Sequence, residues 1–441
     1  MAECEPSTMA RRFWRSARAH NSRMSESNRP SRYRTTLALL VGLILVAGCS
    51  SIPAATPALT PLPATATPPA LSRDLAFCGF DPIRGVADVY VTSSAQAAPT
   101  NLTRGAKQIA DSAERPDTAA CWFSTYNRRN YEALGLDWAP NGDRLVYIAG
   151  AAGGPDGAQM RFVAIDGSGQ AASLPVPAPV RLNQPRAPAW SPDGDRIAYI
   201  AFDRTRASPN IYALGPEDFA IVKPRTQYAR PRSSPFLTTP IAWSPDGERL
   251  AVSTGGGIVI LQEGTLPITV TEETFADLTL PRVNSVVDLP YLLPYDPSLS
   301  WSPDGQDIVF VNYSQTCKCT AAIVYDRLTS TLRTLRPRAR DARMSPDGKW
   351  IAVSEFDTTS VSLVVLDATG AVARTLGKWL SPSGGFPARV EGLEWSPDSR
   401  EIAFASDADG SWRVFAVDVA GGPIVPMSPS GMEAALPKWR P

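Results

Sequence analysis

The sequence predicts an all-β protein, a β-propeller of four-stranded blades, and three observations carry that prediction. One twelve-residue phrase recurs six times at similar intervals along the chain. The stretches between copies hold further short strand signals and only weak helical ones, the best being residues 274–278. The two ends of the array complement each other, one lacking a first strand and the other supplying a first strand alone. A phrase repeated at fixed internal spacing marks a repeat array rather than isolated hairpins.

The phrase is fullest at Ala189-Trp190-Ser191-Pro192-Asp193-Gly194-Asp195-Arg196-Ile197-Ala198-Tyr199-Ile200. It returns at Ala242 to Val252, at Ser300 to Phe310 and at Glu394 to Phe404. A variant opens with Asp137-Trp138-Ala139-Pro140-Asn141-Gly142, and another with Arg343-Met344-Ser345-Pro346-Asp347-Gly348. Each copy reads as a β-hairpin. Pro presets φ at the first turn position, Asp or Asn suits the next, and Gly accepts the left-handed conformation that closes the turn. The apolar run that follows, such as Ile197 to Ile200, does not alternate and so describes a strand covered on both faces. A small Ala at its centre lets another sheet approach closely.

Trp138, Trp190, Trp243, Trp301, Met344 and Trp395 hold equivalent positions, 52, 53, 58, 43 and 51 residues apart. Strand signals between them include Asn210 to Leu214, Ala322 to Asp326 with Leu332 to Leu335, Ser362 to Asp367 with Ala371 to Leu376, and Trp412 to Asp418. Four short strands in each such interval describe a propeller blade. Ahead of Trp138, the runs Leu75 to Cys78, Val86 to Thr92 and Asn101 to Thr103 look like the second, third and fourth strands of a blade without a first. Leu436 to Pro441 repeats the first-strand half of the phrase with nothing behind it. Pairing the two fragments gives seven blades closed by the C-terminal strand; six is the alternative if residues 73–135 are an elaboration.

The N-terminal part reads differently. Thr35 to Val46 is an apolar run too short to span a membrane comfortably, preceded by Arg29, Arg32 and Arg34, the pattern of an export signal. It ends in Val46-Ala47-Gly48-Cys49, which resembles a bacterial lipobox. That resemblance implies cleavage before Cys49 and lipidation of the cysteine. Residues 49–72 are then a Pro-, Ala- and Thr-rich tether that buries nothing and stays extended. The expected organisation is a signal peptide at 1–48, the lipidated tether, and a propeller at 73–441, placed in the bacterial cell envelope.

Composition narrows the chemistry. Lys plus Arg and Asp plus Glu balance at 43 each, but residues 1–48 hold eight Arg and three Glu, leaving the remainder net acidic. A nucleic-acid binder would want a basic face, so none is expected as partner. The single His is His20, in the leader, so Ser-His-Asp and Cys-His catalysis and His-ligated zinc are excluded from the mature chain. The repeated Asp193, Asp246, Asp304, Asp347 and Asp398 read as turn residues bonding their own backbone, and Asp407 with Asp409 before Gly410 as another turn. No metal and no cofactor is expected. Of the cysteines beyond Cys49, the expected bridge is Cys78 with Cys121, tying the first long insertion to its blade; Cys317 and Cys319 remain.

The Trp-Ser-Pro-Asp-Gly hairpin, the apolar second strand and the third strand ending in Asp resemble the TolB-type, WD-repeat-like propeller family over residues 73–441. The resemblance implies an exported interaction module, and neither the α/β domain that precedes the propeller in TolB nor a hydrolase domain is expected beside it. Long segments at 104–135, 204–209, 216–239, 263–298 and 377–390 gather on the rim opposite the motif turns. Aromatic and Arg side chains there suit recognition of a protein, peptide or glycan. The candidate binding residues are Trp122, Tyr126, Arg128, Arg129 and Tyr131 in the first segment and Tyr228, Arg230 and Arg232 in the third. The function expected is a membrane-anchored, monomeric, non-catalytic binding module. A metal-dependent lactonase- or lyase-like enzyme and a structural part of an envelope complex are the alternatives.

Overall fold

In the computed structural model the described residues are 74–81, 86–103, 119–120, 135–151, 154–165, 172–173, 182–203, 208–214, 221–222, 241–254, 257–262, 268–270, 298–314, 319–380 and 388–441. The chain divides into two units, Met1–Ala64 and Thr65–Pro441, and every described residue lies in the second. The all-β class holds: each regular element among the described residues is a strand. The helical signal at 274–278 lies outside them.

The chain opens with β1 (Leu75–Asp81), β2 (Val86–Thr92), β3 (Thr100–Asn101), β4 (Ala119–Ala120), β5 (Leu136–Trp138), β6 (Arg144–Ala151), β7 (Gly154–Ala164) and β8 (Ala172–Ser173). It continues through β9 (Leu182–Trp190), β10 (Ile197–Asp203), β11 (Ser208–Leu214) and β12 (Ile221–Val222). The next two sets are β13 (Ile241–Trp243), β14 (Arg249–Thr254), β15 (Gly257–Gln262) and β16 (Ile268–Val270), then β17 (Leu299–Trp301), β18 (Asp307–Ser314), β19 (Cys319–Asp326) and β20 (Thr331–Pro337). The last are β21 (Ala339–Met344), β22 (Trp350–Phe356), β23 (Ser360–Asp367) and β24 (Val372–Leu380), then β25 (Val390–Trp395), β26 (Glu401–Ser406), β27 (Arg413–Asp418) and β28 (Val425–Pro426), and finally β29 (Glu433–Trp439).

Among the described residues these strands form six sheets, the arrangement weighed as the alternative from sequence. Five are four-stranded antiparallel meanders: β9 to β12, β13 to β16, β17 to β20, β21 to β24 and β25 to β28. The sixth runs β29-β1-β2-β4-β6-β7-β8, with β3 on β2 and β5 on β6. Its β29 lies beside β1, with Leu75 opposite Trp439 and Ala76 opposite Lys438, so Trp439 sits where the sequence placed it. Three segments expected to be loops contain strands: β4, β12 and β16. Outer strands are short or exposed and carry little apolar periodicity. In β24, Val372 is 44% and Leu380 71% exposed.

The core is a series of cores, each between neighbouring sheets. Ala198 packs with Trp243 and Leu261, Ala251 with Trp301 and Phe310, Val309 with Ala342 and Val364, Ala352 with Trp395 and Phe404, and Ala403 with Phe77 and Trp439. Second strands are covered on both faces, β26 being buried from Glu401 through Ser406. The central Ala198, Ala251, Ala352 and Ala403 are all fully buried, the close approach their size allows.

The motif turns are knitted by one recurring network. Ser191 N–H bonds Arg196 O at 2.8 Å, and Gly194 N–H bonds Ser191 O at 2.9 Å. The Ser191 hydroxyl accepts Arg196 N–H at 2.9 Å and donates to Asp193, which accepts Asp195 N–H at 3.0 Å. Ser244, Ser302, Ser345 and Ser396 donate to Asp246, Asp304, Asp347 and Asp398 in the same way. Gly142, Gly194, Gly247, Gly305 and Gly348 take φ between 68° and 78°, and Ser399 fills the sixth such position at 61°. The motif aspartates are thus turn residues, and the Ser302 hydroxyl with Gln306 N–H holds Asp304 below the usual carboxylate range.

Candidate binding face on the inner strands

β5, β9, β13, β17, β21, β25 and β29 carry the Trp position and are edges of their sheets. They touch one another in a closed cycle: β5 with β9, β9 with β13, β13 with β17, β17 with β21, β21 with β25, β25 with β29, and β29 with β5. Being edges, they carry N–H groups that no ladder uses, and buried ones need partners. The neighbouring inner strand supplies them. Asp137 Oδ2 accepts Trp190 N–H at 2.9 Å, Ser298 Oγ accepts Ala342 N–H at 2.7 Å, Ser300 Oγ accepts Met344 N–H at 2.9 Å, and Asp341 Oδ2 accepts Leu393 N–H at 2.8 Å.

The Trp side chains form the second link. Trp243 Nε1 donates to Ala189 O at 3.0 Å, Trp301 to Ala242 O at 2.9 Å, Trp395 to Arg343 O at 2.9 Å and Trp138 to Lys438 O at 3.0 Å. In each case the acceptor is the residue just before the Trp position on the preceding inner strand. That residue is fixed at its backbone while its side chain alternates away from the sheet-to-sheet core. All seven such residues are partly exposed: Asp137, Ala189, Ala242, Ser300, Arg343, Glu394 and Lys438.

Around the cycle these positions divide into two halves. Arg343, Glu394, Lys438 and Asp137 follow one another on β21, β25, β29 and β5, alternating in sign. Glu394 Oε2 lies 3.4 Å from Arg343 Nη1 and 3.3 Å from Lys438 Nζ. Burial pushes the Asp137 carboxyl up, while attraction to Lys438 and the bond from Trp190 N–H pull against it. The remaining three, Ala189, Ala242 and Ser300, are short and uncharged. The result is a ladder of two basic and two acidic side chains on consecutive inner strands, with small side chains on the other three. A ligand bearing charges of both signs can exchange partners with these pairs without leaving a charge unpaired.

The charged wall continues toward the first residues of β21 and β25. Arg340 Nη1 lies 3.5 Å from Glu391 Oε1, and Arg336 Nη2 lies 2.6 Å from Glu355 Oε2. Asp407 accepts Arg389 N–H at 2.6 Å and Arg389 Nε–H at 3.0 Å. Arg340 stacks on Phe356 and Arg389 on Trp412, at 4.9 and 4.5 Å from the ring centroids. Burial raises the Asp341 and Glu391 carboxyls, with Arg343 pulling the first down and Arg389 and Arg340 the second. Asp407 closes a turn with Gly410 N–H, and Asp409 pairs with Arg413, so neither departs from the turn reading.

The candidate residues Trp122, Tyr126, Arg128, Arg129, Tyr131, Tyr228, Arg230 and Arg232 lie outside the described residues, as do Cys49 and Cys121. The partner expected for Cys78 thus lies outside the described residues. Cys78 is a fully buried thiol in the cluster of Ala76, Val89, Leu102 and Trp138, placed by its register opposite Val89 and Ala435. Cys319 is disulfide-bonded. Among the described residues no group of three or more His, Cys, Asp or Glu is arranged to hold a metal ion. The inner ladder escaped sequence reading although its signal was present. Aligning the copies on Trp gives the preceding column Asp, Ala, Ala, Ser, Arg, Glu, Lys.

No protein-family model matches the chain, and no curated protein matches it in sequence. Solved structures do share its fold. An oligogalacturonate lyase in complex with manganese is similar at a TM-score of 0.50 and 15% identity, over 78% of this chain and 85% of that one. TolB from Acinetobacter baumannii has a TM-score of 0.45 and 12% identity, over 84% of this chain and 67% of that one. A protein assigned as a 6-phosphogluconolactonase from Bacteroides fragilis has a TM-score of 0.48 and 13% identity, over 83% and 98%. The likeness to the lyase structure is one of fold.

Proposed function

We propose that this chain is a lipid-anchored propeller of seven blades at a bacterial envelope membrane, acting as a non-catalytic binding module for a protein, peptide or glycan. The observation that carries the binding reading is the ladder Arg343, Glu394, Lys438 and Asp137 on consecutive inner strands. Charged side chains held by backbone and ion-pair contacts on rigid strands are preorganised for recognition. Anchoring rests on the Val46-Ala47-Gly48-Cys49 sequence, and the disulfide at Cys319 accords with an oxidising compartment.

Seven blades follow from reading the largest sheet as two, β29-β1-β2-β3 and β5-β6-β7-β8, bridged by β4. Two observations support that division. Ala76, Cys78 and Val89 bury themselves against Leu136, Trp138 and Tyr147, as residues of facing sheets do. The inner strands also contact one another in a cycle of seven.

The test is in-cell photo-crosslinking from position 300, on the small-residue half opposite the ladder. The expected result is a discrete crosslinked species that disappears with Arg343→Ala or Glu394→Gln at unchanged protein level. No crosslinked species, or one indifferent to both variants, would overturn the reading. Hydrolysis of an aldonolactone or cleavage of an oligogalacturonate, abolished by Glu394→Gln, would replace it with the catalytic alternative.

A further inference from the structure

Two bulges bring a second charged pair to the face that carries the ladder. In β25 the register sets Glu391 opposite Ala405 and Glu394 opposite Ala403, so one extra residue lies between the two glutamates. Three residues apart in an unbroken strand, they would point to opposite faces. The extra residue is taken up where Gly392 adopts φ 66°, and the glutamates stand two ladder steps apart on one face, about 7 Å along the strand. In β21 the pairing shifts between Ala339 and Asp341, and Arg340 is the residue left over. Arg340 thus reaches Glu391 as Arg343 reaches Glu394.

This second pair is incompletely satisfied, unlike its neighbours. Glu394 has cations at 3.3 and 3.4 Å, Arg336 bonds Glu355 at 2.7 Å, and Arg389 bonds Asp407 twice. Arg340 and Glu391 approach only to 3.5 Å, at 15% and 21% exposure. Neither side chain makes a hydrogen bond among the described residues, and the guanidinium lies over the Phe356 ring instead. Asp341 adds to the imbalance. It is 3% exposed, its Oδ2 accepts Leu393 N–H at 2.8 Å, and its Oδ1 is buried without a hydrogen-bond partner. The Ser298 hydroxyl favours this carboxylate but does not come within hydrogen-bond distance of Oδ1.

The four charges of the ladder balance, and so do Arg389 and Asp407. Arg340 alone stands against Glu391 and Asp341, which leaves one negative charge over when all are ionised. A cation brought to Glu391 cancels that excess. An anion drawn to Arg340 would take the ion-pair partner of Glu391 and leave both carboxylates uncompensated, a costly state in a half-buried wall.

We propose, on the basis of the binding reading above, that Glu391 receives a basic side chain of the protein or peptide that the propeller binds, with Asp341 as the buried charge behind it. An arginine suits the position better than a lysine, because its planar fork can bond both carboxylate oxygens at once.

The test is titration calorimetry of the full-length purified protein at low salt with capped peptides Gly-Ala-X-Ala-Gly, where X is Arg, Lys, Glu or Ala, and with an oligogalacturonate. The expected result is saturable binding of the Arg and Lys peptides, of about millimolar affinity, and none of the others. Glu391→Gln should weaken the Arg peptide about tenfold, and Asp341→Asn should weaken it less. Arg340→Gln should strengthen it, because Glu391 loses its competing partner. No peptide binding, or Arg-peptide binding indifferent to Glu391→Gln, would overturn the proposal. So would binding of the Glu peptide or the oligogalacturonate that Arg340→Gln abolishes. Should Glu391→Gln fail to fold, Arg340→Gln still decides, since a cationic ligand gains from it and an anionic one loses. Crosslinking from position 300 separates this proposal from the binding reading. A crosslinked species lost with Arg343→Ala but kept with Glu391→Gln overturns the proposal and leaves that reading standing.

Discussion

The indole N–H of Trp138 donates to the backbone carbonyl of Lys438 at 3.0 Å, across 300 residues of chain. It is the same bond that Trp243 makes to Ala189 and Trp301 to Ala242, and here it joins the two ends of the array. Arg440 reinforces the join. Its guanidinium lies over the Trp138 ring, bonds Gly142 O at 2.9 Å and pairs with Asp74 at 2.9 Å, while its N–H bonds Asp74 O at 2.8 Å.

Removing residues 436–441 should therefore destabilise far more than six residues' worth of structure. It exposes the edge of β1 and uncovers Leu75 and Phe77, both fully buried. Limited proteolysis should then cut within residues 75–103 before it cuts within β13 to β16. Unchanged melting and an unchanged cleavage order would show that the join contributes little.

The motif Trp and the motif Asp should separate cleanly in energy. Trp243 is 8% exposed, and truncating a buried Trp costs about 3–5 kcal/mol. Asp246 sits in an exposed turn, so Asp246→Ala should cost about 1 kcal/mol. Trp243→Phe should fall between, since it keeps most packing but strands Ala189 O. Chemical denaturation of the three variants checks the order, and equal costs for the Trp and Asp changes would contradict it.

Ser399 pays conformational strain where the other copies have Gly. At φ 61° a residue with Cβ is disfavoured by about 1–2 kcal/mol, yet its hydroxyl accepts Asp347 N–H at 3.1 Å from the neighbouring sheet. Ser399→Ala keeps the strain and loses the bond, while Ser399→Gly loses both. The Gly variant should be more stable than the Ala variant by about 1 kcal/mol. Equal stability would mean that the turn relaxes without help.

Much of this was legible in the sequence, and the residues show why. Trp138 and the turn after it recur at fixed spacing because each blade meets its neighbour in the same way, so the repeat announced itself. The pairing of Leu75 with Trp439 could be foreseen because each end lacked what the other had. The strands β12 and β16 stayed hidden because two- and three-residue outer strands have too few side chains to show a period. The ladder of Arg343, Glu394, Lys438 and Asp137 stayed hidden because its members are distant in sequence and become neighbours only around the cycle.

Stability should depend on pH through Glu401. Its carboxyl is raised from 4.5 to about 7 in the folded state, so the folded protein holds a proton that the unfolded chain releases. That contribution is fully present below about pH 4.5, declines as pH rises and is lost above about pH 7. Glu401→Gln should flatten this part of the profile and be the more stable protein at alkaline pH. The motif aspartates act in the opposite sense, since Asp304 lies below its ordinary value and contributes stability that is lost in acid. Melting curves of both proteins between acid and mildly alkaline pH test the difference, and parallel profiles would refute it.

The seating of β1 between β29 and β2 also sets an order on biosynthesis. A ribosome delivers β1 first among the described strands and β29 last, so the first waits for the last before its sheet is complete. Until then Leu75, Phe77 and the indole of Trp138 have no final partners, and earlier strands can form only an open, incomplete array. A chain built this way reaches its native state only after β29 has emerged. That delay leaves the chain able to stay open and unassembled until its last strand is made.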